Sequence, residues 1–311
     1  MEYFTDVTAQ PEYDIQFWNA AKGRRGNENT LEKGRVSLLG SYELPASAAG
    51  KIATAMEKES VFRGLSTVIK AYKSGYRIFT KDCKDLAQFV PENAEIPVYD
   101  GMKDFNENTI GSYKLATLVK LDEDFVHDIT FSMEQYLIGR FAKNFGKAED
   151  NAFINGTGTD EPTGILHESK GAEVGVTTEN ITYDDVISLY FSVEKEYRKN
   201  AVWMMSDSTA FVLRTLKDAA GNYLWNHSND TILGKKVIIS EYMPDAEDGA
   251  KPIAFGNFAY YWIVDREPVS VRTLVEKFAM LGQLGYLAYK FLDGKLIRRD
   301  AIKVIQMKTS E

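Results

Sequence analysis

Cysteine is almost missing from this 311-residue chain: Cys83 is the single one, so no intrachain disulfide can form. That fits synthesis in a reducing compartment and excludes the disulfide-stapled scaffold class. Histidine is nearly as scarce, with only His127, His167 and His227. None of the three stands at ligand spacing from another histidine or from Cys83, so zinc motifs are not expected. Long apolar runs are absent too. No stretch approaches the roughly 18 residues that a membrane helix needs. The acidic start, MEYFTDVTAQPEYD, has no apolar core of a secretory signal. Positive charge is outweighed, with 37 Lys and Arg against 45 Asp and Glu and a net charge of -8. An acidic chain is a poor general binder of nucleic acid, so any contact with DNA is expected to be weak and non-specific. There is no Walker A loop and no G-x-S-x-G elbow, and no repeat at a fixed period. No cofactor, no metal and no catalytic residue is assigned.

What is present is an ordinary globular balance, 44% hydrophobic and 26% charged. At this length the chain suits two or three linked subdomains. Residues 1–44 are polar and read as an arm with little to bury. A short amphipathic turn can form around Pro11 to Ala21, where Pro11 suits a first helical position and Ile15, Trp18 and Ala21 share a face. The basic cluster of Lys22, Arg24, Arg25, Lys33 and Arg35 could touch nucleic acid, but Glu28 and Glu32 dilute it and favour a solvated arm pairing with acidic neighbours. Residues 45–70 predict a helix and then a β-branched strand through Thr67, Val68 and Ile69.

Residues 76–112 are the most informative stretch. Their flanks favour strands, their middle is polar, and Pro91 and Pro97 exclude helix. Acids outnumber bases: Asp82, Asp85, Glu92, Glu95, Asp100, Asp104 and Glu107 stand against Arg77, Lys81, Lys84 and Lys103. A two-stranded ribbon of this kind is marginal alone in water, and it holds too few apolar residues for its own core. Support from a neighbouring subunit would resolve the difficulty. Arg77, Lys81, Lys84, Glu92, Glu95 and Lys103 are therefore the candidates for contact between subunits.

Beyond the ribbon, 113–121 alternates like a strand. A long helix over 130–154 carries Ile138, Phe141, Ala142, Phe145, Ala148, Glu149 and Ala152 on one stripe, with Asp128 or Thr130 as its cap. It ends in the Gly-rich turn cluster NGTGTDEPTG, which lacks the residues of a phosphate loop. Strand and helix alternate through 165–263. Thr182 caps one helix, and Ser206 or Asp207 caps the next. The last part returns to strand. Asp293-Gly294 predicts a hairpin turn there, and Arg298 and Arg299 fall in its second strand. The class is α+β.

The ordered blocks AEDNAFINGTGTDEPTGIL, WMMSDSTAFVLRTLKDAAGNYLW, LGKKVIISEYMP and PIAFGNFAYYWIVDR resemble those of tailed-bacteriophage major capsid proteins over about residues 40–305. That resemblance implies the tailed-phage major capsid fold. Residues 1–44 would be the N-terminal arm and 76–112 the E-loop. The peripheral domain would take 45–75, 113–164 with its long spine helix, and 264–311; the axial domain would take 165–263. The implied function is assembly into an icosahedral shell around a phage genome, with no enzyme activity. An encapsulin-like compartment shell is the alternative. The implied partners are further copies in hexamers and pentamers, a separate scaffold protein, a portal and decoration proteins. No membrane is implied, and the setting would be the virion capsid, assembled in the host cytoplasm. The family's N-terminal scaffolding segment does not precede the arm, so either the scaffold is separate or that segment has been removed. Some members join subunits through a lysine, an asparagine and a glutamate. Lys81, Lys84 or Lys103 could serve here, but 274–287 holds no asparagine, and Gln283 lies near the expected acid. Isopeptide cross-links are not expected.

Overall fold

A computed structural model describes residues 7–24, 28–36, 41–71, 77–81, 98, 105–128, 130–217, 221–223, 225 and 231–309. In chain order the first elements are helices α1 (Pro11–Ala21) and α2 (Glu28–Glu32) and strands β1 (Arg35–Val36) and β2 (Ser41–Glu43). Helices α3 (Ala46–Glu59) and α4 (Val61–Leu65) lead to β3 (Thr67–Lys70), then β4 (Arg77–Lys81), β5 (Phe105–Thr109) and β6 (Tyr113–Asp122). Helix α5 (Glu123–Val126) and the long α6 (Met133–Asn155) precede β7 (Glu173–Thr178), α7 (Tyr183–Ser192), α8 (Lys195–Arg198), β8 (Val202–Met205) and α9 (Asp207–Thr215). The chain closes with β9 (Thr231–Ile232), β10 (Lys235–Ile239), β11 (Ile253–Gly256), β12 (Tyr261–Leu274), β13 (Gln283–Leu296) and β14 (Ile302–Met307).

Two six-stranded sheets organise these elements. The first runs β1-β2-β12-β13-β6, with β3 parallel to the start of β12. The second runs β7-β14-β11-β8-β10-β9. Helix α6 spans roughly 35 Å at 1.5 Å per residue. Its Leu137, Ile138, Phe141, Ala142 and Phe145 pack with Ile52 and Met56 of α3 and with Tyr286 and Ala288 of β13. The spacing of three and four that marks this stripe in the sequence is the face that is buried. A second core lies under the other sheet around Trp203, Phe255 and Ile305. A third joins the two sheets through Phe62, Phe153, Tyr261 and Ile302.

Several expectations need correction. The arm buries more than its polarity suggests. Tyr13, Phe17 and Ala21 of α1 enter the first core, and the Tyr13 hydroxyl donates to the Glu43 carbonyl at 2.6 Å. Ile15 is exposed instead, so the buried face of α1 is rotated from the one expected. Asp293-Gly294 makes no turn; β13 runs straight through it, paired with β12. The dipeptide serves packing. Gly294 lies so close to Tyr261 that an added Cβ would sit 2.6 Å from its hydroxyl oxygen. The reversal comes earlier, at a short helical turn over Glu276–Leu281 closed by Gly282 with φ 62°. Arg299 begins a 3-10 turn rather than lying in a strand, and its Nε donates to the Gly171 carbonyl at 2.8 Å. The segment 264–311 is divided between the sheets, because β14 pairs with β11 and β7. The long helix starts after Ser132, which gives no side-chain cap, while Asp128 accepts from the Thr130 amide. Thr182 and Ser206 do cap α7 and α9.

The Gly-rich cluster folds back on the end of α6. Gly164 donates to the Gly156 carbonyl and Ile165 to the Phe153 carbonyl, both at 2.8 Å. A side chain on Gly164 would meet the Ile154 carbonyl oxygen. Gly164→Ala is therefore expected to lower stability by roughly 1–3 kcal/mol, as overpacking does. A urea melt against wild type measures it; an unchanged midpoint would show that the loop relaxes freely.

Candidate functional site

The ribbon expected over 76–112 begins and ends as an antiparallel pair, with Arg77 opposite Thr109 and Lys81 opposite Phe105. This pair belongs to neither six-stranded sheet. Arg77 and Lys81 lie on β4, while Lys84, Glu92, Glu95 and Lys103 fall outside the described residues.

Both roots of the ribbon are tied to the β12–β13 hairpin. At the first, the Ala71 amide donates to the Asp265 carbonyl at 2.8 Å, just beyond the last β3 pairing. At the second, the Gly111 amide donates to Asp293 Oδ2 at 2.5 Å. Asp265 pairs in register with Leu292, so the two anchors are adjacent. Burial raises the Asp293 carboxyl pKa above the usual range, only partly countered by the Gly111 and Gly294 amides and by Lys295 and Arg266.

Beneath the first root lies a buried cluster of four charges. Arg63 of α4 forms a bidentate pair with Asp265, at 3.1 and 2.8 Å, and its Nε donates to Glu149 of α6. Lys290 of β13 reaches Glu149 at 2.7 Å and Asp265 at 3.1 Å. The cluster is neutral as a set and ties α4, α6, β12 and β13 together. Burial alone would lower the Arg63 pKa, but Glu149 and Asp265 outweigh it and hold it raised. Burial would likewise raise Asp265, but Lys290 and Arg63 prevail and hold it lowered, at about 2. The neighbouring Asp150 accepts from the Ser60 hydroxyl at 2.5 Å and the Val61 amide at 3.0 Å, satisfying the first amides of α4. Burial raises its pKa, against those same hydrogen bonds.

The sign of the acid response follows. Asp265, depressed, contributes stability above its unfolded pKa near 3.8 and loses it as pH falls through about 2. Asp150 and Asp293, raised, act in the opposite sense. The stability gap between wild type and Asp265→Asn should therefore shrink by roughly 2 kcal/mol between pH of about 4 and about 2. Urea melts across that range would read it, and a constant gap would mean that Asp265 is not ionically coupled.

Sequence reasoning missed this cluster. The available signals were Glu149 on an otherwise apolar stripe and Lys290 inside the apolar run YLAYKFL. Elsewhere, His167 Nδ1 accepts the Ser169 and Lys170 amides within a turn, and His227 and Cys83 lie outside the described residues. Asp122 accepts from Gln283 Nε2 at 2.9 Å, so Gln283 is engaged across the β6–β13 pair. Among the described residues no group of three or more His, Cys, Asp or Glu is placed to hold a metal, and no helix is long and apolar enough to cross a membrane.

A subunit with two six-stranded sheets, one long helix and a separate β4–β5 pair has the form of a shell-building protein. The model of the phage capsid family matches residues 40–307, and the chain belongs to that family. Among solved structures, the capsid of a native GTA (gene transfer agent) particle is 27% identical, with a TM-score of 0.68, covering 80% of this chain and 90% of that one. A Microbacterium phage Oxtober96 chain is 15% identical, with a TM-score of 0.61, covering 80% and 91%. A Mycobacterium phage Bobi chain is 15% identical, with a TM-score of 0.59, covering 88% and 94%. These last two share the fold. No curated protein matches the chain. The protein is a capsid protein, a structural component of the shell.

Proposed function

We propose that this chain is the major capsid protein of a tailed phage or phage-like particle, building an icosahedral shell of pentamers and hexamers around DNA. The observation that carries this reading is the family match over 40–307, joined to 27% identity across 90% of a solved capsid chain. That neighbour's capsid was computed with C5 symmetry, which supports five-fold packing here. In this reading the first sheet with α6 is the peripheral domain and the second sheet the axial domain, with 302–307 added to the latter. Residues 76–112 form the E-loop. It lies on a neighbouring copy, because its described strands have no partner beyond each other. A scaffold, a portal and decoration proteins complete the assembly, which takes place in the host cytoplasm.

Negative-stain images of the purified chain, expressed with its scaffold, should show closed shells, and those matured in the host should contain DNA. A compact monomer under every assembly condition would overturn the reading, and protein cargo in place of DNA would favour a compartment. The mature shell should hold without isopeptide bonds and give one band near 35.1 kDa after boiling in SDS. A covalent ladder through Lys81, Lys84 or Lys103 would count against that.

A further inference from the structure

The free amides at the start of a helical turn are ordinarily capped by Ser, Thr, Asp or Asn, whose side-chain oxygen accepts them at any pH near neutrality. The turn that follows the Gly-rich cluster has a histidine in that place. His167 Nδ1 accepts the amides of Ser169 and Lys170, both at 3.2 Å, and the Gly171 amide closes the turn on the His167 carbonyl at 2.9 Å. Its base is fixed: Ile165 and Ala172 are buried, and the Ala172 amide donates to the Ile165 carbonyl at 2.7 Å.

This turn sits where the chain crosses between the two sheets. It lies in the connection from α6, which packs on the first sheet, to β7 of the second. The return crossing, from β13 to β14, carries Arg299, whose Nε donates to the Gly171 carbonyl at 2.8 Å. Lys251, just before β11, donates to the Leu166 carbonyl at 2.9 Å. A cation from another element thus holds a carbonyl at each end of the turn. Burial lowers the Lys251 pKa; Glu168 opposes this and Arg299 adds to it.

We propose that His167 is a titratable cap, and that protonation of its ring opens the 167–171 turn at the crossing between the two sheets. A nitrogen that accepts an amide hydrogen bond cannot also carry a proton, and both nitrogens of an imidazolium are donors. Protonation therefore removes both capping bonds. Imidazole is the side chain that ordinarily changes charge between about pH 5 and about 8. The surrounding charge acts in the same direction, since Lys170, Lys251 and Arg299 all oppose a further cation. Glu168, on the exposed side of the turn, acts against them. Glu173 pairs with Lys303 at 3.6 Å, and Arg298 and Asp300 act on Tyr197. The closed turn thus binds the proton less well than the open one, so falling pH favours opening. The proposal concerns the joint within one subunit and stands or falls independently of the shell reading.

Hydrogen exchange of the full-length unassembled chain tests it, read on peptides covering 166–172 and corrected for the intrinsic effect of pH. Between pH of about 7.5 and about 5.5, protection of the wild-type turn should fall roughly tenfold, as the loss of two ordinary hydrogen bonds implies. His167→Asn supplies an acceptor oxygen in place of Nδ1 that does not titrate, so its protection should be the same at both values. His167→Ala should show low protection at both. Wild-type protection that does not change with pH would overturn the proposal. So would an Asn variant that loses protection in step with wild type, because the sensitivity would then belong to another group.

Discussion

Replacing residues 80–108 with a short Gly-Ser linker is expected to leave a folded chain that cannot close a shell. The three cores described above are built from α1, α3, α6 and the two six-stranded sheets, and none of the residues named in them comes from 80–108. The anchors at Ala71 and Gly111 also lie outside it, so the roots keep their hydrogen bonds to the hairpin. Linker length matters little thermodynamically, since closure entropy grows only with the logarithm of loop length. The thermal midpoint should therefore stay within a few degrees of wild type. Assembly should fall much further. If the ribbon supplies even about 3 kcal/mol to each contact with a neighbour, its loss costs roughly a hundredfold in association at that contact, repeated around the shell. Circular dichroism and sedimentation velocity on the same sample separate the two effects. Cooperative unfolding at a much lower temperature would place the ribbon in a core. Shells of normal yield would show that it carries no essential contact.

The two strands that flank the polar stretch were legible in the sequence, because β-favouring residues on either side of it pair as β4 and β5; the polar middle lies outside the described residues. The long helix was legible because Phe141, Ala142 and Phe145 recur at helical spacing and are the residues buried. Local rules failed where tertiary packing reassigned a residue. Asp293-Gly294 has the chemistry of a tight turn, yet Asp293 receives the ribbon root while Gly294 makes room for Tyr261. Ile15 and Trp18 fit a buried helical face equally well by spacing. Tertiary packing selects Tyr13 and Phe17 for the core, with the Tyr13 hydroxyl bonded to the Glu43 carbonyl of β2. The charge cluster was hidden for a different reason. Arg63 and Asp265 are 202 positions apart in sequence, and nothing local says that they meet.

That cluster yields the second large effect, because removing one member leaves a charge buried without its counterpart. Glu149→Gln takes one of two carboxylates from Arg63 and Lys290 and leaves the set with an excess positive charge at nearly dry positions, Glu149 and Lys290 side chains being 1% and 5% exposed. The expected loss is roughly 3–5 kcal/mol, as for other broken buried pairs. Lys290→Met should cost a similar amount with the opposite charge left over. The double change Glu149→Leu with Lys290→Met removes one charge of each sign and leaves the bidentate Arg63–Asp265 pair intact. It should recover most of the loss, since burying two charges carries a desolvation penalty that apolar replacements avoid. Urea melts of the unassembled subunit at one protein concentration give the cycle, and a coupling of several kcal/mol between positions 149 and 290 is the predicted reading. If the double variant instead loses the sum of the two single losses, the charges act on something other than each other. If the coupling is large and the double variant is as stable as wild type, the cluster is not there for stability. Its role is then geometric: it holds α6 in one register on the hairpin directly beneath the ribbon root. In that case the double variant should fold normally yet assemble into shells of uneven size.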